Sequence, residues 1–190
     1  MSPLPPSRFK VVYFLYDSYS EATHAIEEVV RTAYPNIRFL DLYVPSPTTQ
    51  IEEWRAHLQP LLIPNALLIG IGRAGTAAAS IQEQFSDLDL SVVAINSPTE
   101  GPSFTIERRH KNRVALFSSD YPPIKGLTKN WSLFSEISFD VSWLQHGILS
   151  ESGGNLCKHS SAFLIITYMK FARESEFVSA FSRIKDEVLA

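Results

Sequence analysis

Short runs of β-branched and aromatic residues alternate with apolar stripes at helical spacing along this chain, and few folds accommodate that alternation. Six runs read as strands: Phe9–Tyr16, Ile37–Val44, Ala66–Gly70, Ser91–Asn96, Arg113–Ser118 and Phe139–Leu144. Most are apolar on both faces, as a parallel sheet covered by helices on both sides requires. Helical stripes separate them. Ala22, Ala25, Ile26, Val29, Val30 and Ala33 form the first, after the capping-box pattern Ser18-x-x-Glu21. Ile51, Trp54, Leu58, Leu61 and Leu62 form the second, after Thr49-x-x-Glu52. Ala74, Ala77, Ala78, Ile81 and Phe85 form a third, mostly small enough to lie close on a sheet. Trp131, Phe134 and Ile137 suggest a short fourth helix, and Ser160–Leu189 reads as one or two more. The expected class is α/β: a three-layer sandwich with right-handed crossovers and a mainly parallel sheet of about six strands. Ala66–Gly70 should lie centrally, between Phe9–Tyr16 and Ser91–Asn96, because the winding reverses at that strand.

At 190 residues and 45% hydrophobic, the chain reads as a single domain over residues 1–190 with a sizeable core. The proline-rich stretch Met1–Arg8 reads as a flexible N-terminus. A net charge of -3 gives no electrostatic case for nucleic acid, and none is expected as a partner. The cluster Arg108-Arg109-His110-Lys111, with Arg113 beyond, has no interleaved aromatic residues and reads as a solvated loop entering a strand. The lone Cys157 excludes an internal disulfide and fits a reducing compartment. No apolar run approaches the roughly 20 residues of a membrane span, and the N-terminus has no apolar signal core. The expectation is a soluble, cytoplasmic protein that does not contact membranes. No spacing of His, Cys, Asp and Glu reads as a metal site, and no cofactor is expected.

The candidate site starts at Gly70-Ile71-Gly72-Arg73-Ala74-Gly75, between an apolar run and a helical stripe. Read as G-x-G-x-x-G, the turn would offer backbone N–H groups to a pyrophosphate. That reading fails on context. A dinucleotide fingerprint follows the first strand, whereas two strand–helix units precede this turn, and the next strand ends at Asn96-Ser97 without a carboxylate. Read as G-x-S-x-G with the serine replaced, the same residues form a nucleophile elbow with Gly72 in the nucleophile's place.

On that motif and its order, residues 9 to 172 resemble a compact member of the α/β-hydrolase family. The resemblance implies an elbow after the third core strand, then an acid and a histidine in that chain order. It implies Asp120, just past Val114–Ser118, as the acid, and His146 or His159 as the histidine. Asp120 before Tyr-Pro-Pro also fits a turn residue, and His159 also fits a polar residue capping the last helix. Tyr16, Asp17, Ser18, Gly72, Arg73 and Ser97 are the expected lining of the binding site. Three departures stand out: Gly72 carries no hydroxyl, Tyr16-Asp17 replaces the His-Gly that helps shape the oxyanion hole, and Ala74 stands where glycine is commoner. Without a nucleophile, acyl-enzyme chemistry loses its first step.

The expected function is that of a hydrolase-like protein without the usual serine nucleophile. It would be either a non-catalytic binding protein or an enzyme using a His–Asp pair on a small molecule. One alternative is an active hydrolase with a displaced nucleophile: Ser18, Ser97 or Cys157. Another is a nucleotide-binding domain using Gly70, Gly72 and Gly75. His24 and His57 read as solvated helix residues, as do the paired carboxylates Glu27-Glu28 and Glu52-Glu53.

Overall fold

The computed structural model describes residues 7–17, 21–44, 51–99, 106–117, 134–140 and 165–170, with further helical residues at 176, 178–180, 182–183 and 186. The elements, in chain order, are β1 (Val11–Tyr16), α1 (Glu21–Ala33), β2 (Arg38–Tyr43), α2 (Ile51–Leu58), β3 (Leu67–Ile71) and α3 (Arg73–Gln84). A 3-10 turn (Ser86–Leu88), β4 (Ser91–Ile95), β5 (His110–Phe117) and β6 (Ser135–Asp140) follow.

Every strand pairing is parallel, and the sheet order is β2-β1-β3-β4-β5-β6. The glycine-turn strand β3 therefore lies between β1 and β4, as its place in the winding requires. Alternate residues of each inner strand enter two separate cores. Val12, Phe14, Leu67, Ile69, Val93, Val114 and Leu116 meet Ile26 and Val30 of α1 and Ile165 and Met169 of the last helical segment. Tyr13, Leu15, Leu68, Val92, Ala94 and Ala115 meet Trp54 and Leu58 of α2 and Ala74, Ala77, Ala78 and Ile81 of α3. Helices on both faces explain why these strands read as continuous apolar runs rather than alternating ones. The α/β class is the architecture observed.

Local chemistry sets the element ends. α1 stops at Ala33, two residues before Pro35, which has no N–H to donate and holds its predecessor out of helical geometry. α3 is buried on every residue from Ala74 to Gln82, and its small side chains let it sit directly on β3 and β4.

Two expectations need correction here. Trp131, Phe134 and Ile137 do not open a helix that includes Ile137, because residues 135–140 form β6, parallel to β5 with Leu116 opposite Phe139. Three apolar residues at spacing three are too few to nucleate a helix, whereas Glu136-Ile137-Ser138-Phe139-Asp140 alternates with period two. The last strand thus starts four residues before Phe139, and Trp131 and residues 141–144 lie outside the described residues.

The basic cluster also differs from a solvated loop. Arg108, Arg109 and Lys111 are exposed, but β5 already begins at His110, and Arg113 is 0% exposed. The Arg113 guanidinium donates to Gln82 Oε1 (2.9 Å), to the carbonyls of Arg108 (2.7 Å), Phe134 (3.0 Å) and Ala79 (3.3 Å), and to Glu83 Oε1 (3.5 Å). A buried cation is tolerable only when its donors are met in this way. Gln82 Nε2 donates in turn to the carbonyls of Leu90 (2.8 Å) and Asn112 (3.0 Å), so one polar network ties α3 to β5 and to the start of β6. Burial and the Arg113 charge lower the pKa of neighbouring His110, whose Nδ1 accepts from the Asn112 N–H at 3.0 Å.

Candidate functional site

The winding reverses between β1 and β3: β2 lies outside β1 on one side, and β4, β5 and β6 follow β3 on the other. In open parallel sheets the crevice at the carboxyl ends of two such strands is where ligands bind. Here its walls are Tyr16-Asp17, ending β1, and Ile71-Gly72-Arg73, joining β3 to α3.

Gly72 makes the turn. It has φ 63° and ψ -134°, and is the only residue between β3 and α3. This lies outside the left-handed helical well and close to the corner that glycine alone occupies readily. A Cβ built on Gly72 meets nothing within 4 Å, so a side chain there would enter open space. The other two glycines answer to packing. A Cβ on Gly70 would sit 2.4 Å from the backbone C and O of Ala74, and one on Gly75 would sit 1.9 Å from Ser97 Oγ. The Gly72 N–H donates to the Ile95 carbonyl across the sheet at 2.8 Å, and the Gly72 carbonyl accepts from the Gly75 N–H at 3.0 Å.

Arg73, the first residue of α3, reaches across the crevice. Its Nη1 lies 2.6 Å from Asp17 Oδ1, with side chains 14% and 42% exposed respectively. The ion pair therefore joins the two walls at the point where the winding reverses. Ser97 is buried under α3, its Oγ donating to the Ile95 carbonyl at 3.1 Å. The Thr76 hydroxyl donates to the Pro98 carbonyl and fixes the chain leaving β4.

The structure thus brings Asp17, Gly72 and Arg73 together and packs Ser97 behind them. Tyr16 lines the same strand end, but its side chain enters the core beneath α1, where its hydroxyl donates to Glu27 Oε2. Ser18, Asp120, His146, Cys157 and His159 lie outside the described residues. His24 and His57 are exposed, as expected of solvated helix residues.

Glu27 is the residue misjudged from sequence. Unlike exposed Glu28, Glu52 and Glu53, it is 2% exposed and accepts from Tyr16 and from Arg31 Nε (2.9 Å) and Nη2 (2.6 Å). The signal was present in the spacing, since Thr23, Ile26, Glu27 and Val30 occupy one helical stripe and all four are buried. Burial and the Glu27 carboxylate push the Tyr16 hydroxyl pKa up.

Among the described residues, two hollows lie away from the Gly72 turn. One, of about 250 Å³, opens at the amino ends of the strands between Arg8, Asn65, Asp89 and Asn112. The other is a groove of about 730 Å³ along α1 beside Ile166. Neither includes Asp17, Gly72 or Arg73. Among the described residues no helix is long and apolar enough to cross a membrane, and no group of three or more His, Cys, Asp and Glu is placed to hold a metal ion. Compared with protein-family models, curated proteins and solved structures, the chain gives no match.

Proposed function

We propose that this chain is a hydrolase-like protein that keeps the nucleophile-elbow turn without its nucleophile, and that its crevice over Gly72 holds a small molecule without acyl transfer. The backbone of Gly72 carries the reading. A strained strand-to-helix turn, with open space where a side chain would project, is the geometry that exposes a nucleophile at the top of a hydrolase sheet. Glycine takes it without the roughly 1–3 kcal/mol that a residue with a side chain would incur. The Asp17–Arg73 pair also fits binding better than acyl transfer, because Asp17 brings a carboxylate to the side of the turn where an oxyanion would need donors.

The sheet order gives a second reading some support, since β2-β1-β3-β4-β5 is also the order of doubly wound sheets that bind flavin at the β1/β3 reversal. The glycines argue against it. Gly70 and Gly75 are required by packing, and the Gly72 N–H is committed to Ile95, which leaves that amide no proton for a phosphate. Amide shifts of labelled protein, followed during a screen of small uncharged esters and carboxylates, test the proposal. Hits should perturb Asp17, Gly72 and Arg73 and show no turnover. Saturable perturbation of the same amides by flavin mononucleotide or an adenine nucleotide, with no response to the esters and carboxylates, would replace the proposal with the second reading.

A further inference from the structure

The basic cluster enters β5 through a bulge that a titratable side chain holds. Between His110 and Val114, β5 advances four residues while β6 advances two, from Ser135 to Ile137, so the ladder between them is interrupted. Side chains take over there. The Asn112 N–H donates to His110 Nδ1 at 3.0 Å, the Asn112 carbonyl accepts from Gln82 Nε2 at 3.0 Å, and the Arg113 carbonyl accepts from the Ser135 hydroxyl. Of these three partners only the imidazole titrates near neutral pH. We propose that neutral His110 pins the bulge of β5 through Nδ1, and that protonation of this nitrogen in acid frees the Asn112 amide and loosens the start of β5 against the Arg113 network. The pin rests on these contacts and stands whether or not the crevice binds a ligand.

The hydrogen bonds fix the tautomer. A ring nitrogen that accepts from an N–H carries no proton, so neutral His110 keeps its proton on Nε2. Gln82 Oε1 accepts from Arg113 Nε at 2.9 Å, which identifies the other terminal atom as the amide nitrogen. That nitrogen has two protons, and the carbonyls of Leu90 (2.8 Å) and Asn112 (3.0 Å) take them, ahead of the longer 3.2 Å contact with His110 Nδ1. The Nδ1 lone pair therefore belongs to the Asn112 amide. A proton on Nδ1 would turn this acceptor into a donor facing two other donors, the Asn112 N–H and the Gln82 amino group. Asn112 also lines the hollow at the amino ends of the strands, where water can take the released amide.

The charged neighbours come from three elements: Glu83 on α3, Asp89 after the 3-10 turn, and Lys111 and Arg113 on β5. Burial acts first and Arg113 next, and with Lys111 they hold His110 below its ordinary 6.5 against the opposing pull of Asp89 and Glu83. The direction follows from linkage. A lowered histidine contributes stability that is complete above 6.5 and is lost as pH falls through its folded value. The pin is closed at neutral pH and opens in acid.

Long-range proton–nitrogen NMR of the full chain reads the imidazole directly. His110 should show the Nε2–H tautomer at neutral pH and a midpoint below 6.5; an Nδ1–H tautomer, or a midpoint at or above 6.5, would overturn the proposal. Hydrogen exchange reads the mechanical consequence. Protection of the Asn112 amide, corrected for intrinsic rates, should fall roughly fivefold across the His110 midpoint, as the loss of one hydrogen bond implies. His110→Asn offers an acceptor oxygen on Cγ, where Nδ1 stands, without a titrating group, so its Asn112 protection should stay flat over the same range. His110→Phe removes the acceptor, and its Asn112 protection should be low throughout. An unchanged fall in either variant would show that another group holds this amide and would overturn the assignment to His110.

Discussion

Three glycines occupy one turn for three different reasons, and alanine substitutions should separate them. Gly72→Ala meets open space and incurs only backbone strain, about 1–3 kcal/mol. Gly70→Ala drives a methyl group into the backbone of Ala74 and Gly75, which cannot yield without moving α3, and should cost about 3 kcal/mol or more. Gly75→Ala meets the Ser97 side chain and, less closely, the Gly70 carbonyl, so the double change with Ser97→Gly should recover part of its loss. Urea unfolding of the four variants would establish the ranking; equal losses at positions 70 and 72 would contradict it. At this scale the sequence carried Gly72 well, because a glycine between an apolar run and a helical stripe marks a turn with few alternatives. It carried Glu27 and Arg113 poorly. A charged residue reads as solvated until its partners are known, and those of Glu27 include the Tyr16 hydroxyl from another element, while those of Arg113 include carbonyls that no side-chain pattern encodes.

The elements depend on such partners to different degrees. α3 is held to the sheet by small-residue packing along Ala74, Ala77, Ala78 and Ile81, and to β5 by the Arg113–Gln82 network. Arg113→Ala would leave Gln82, Glu83 and three carbonyls short of their donor in a buried place. A loss of about 3–5 kcal/mol in urea unfolding is expected, with faster exchange in β5. A loss below about 1 kcal/mol would mean that water replaces the guanidinium and that the network does not fasten these elements. Strand positions were legible because covered parallel strands need continuous apolar runs. β6 was misplaced because its period-two alternation overlaps a three-residue apolar stripe, and strand pairing to β5 decides between them.

For the whole molecule, the reversal of winding between β1 and β3 organises the rest. It puts Gly72 at the carboxyl end of the central strand β3, where Asp17 and Arg73 meet. The order of elements made this arrangement readable from sequence, since each strand–helix unit must return to a parallel neighbour. The acid and histidine of the resemblance, Asp120 with His146 or His159, were readable only as positions in the chain, because nothing local to them fixes which way they face. The central claim is that the elbow survives without a nucleophile. Intact-mass analysis after incubation with a serine-directed fluorophosphonate tests it most directly. The account predicts an unchanged mass for the native protein under conditions that label an active serine hydrolase completely. A stoichiometric phosphonyl adduct, mapped to Ser18, Ser97 or any other hydroxyl and lost with its substitution, would contradict it.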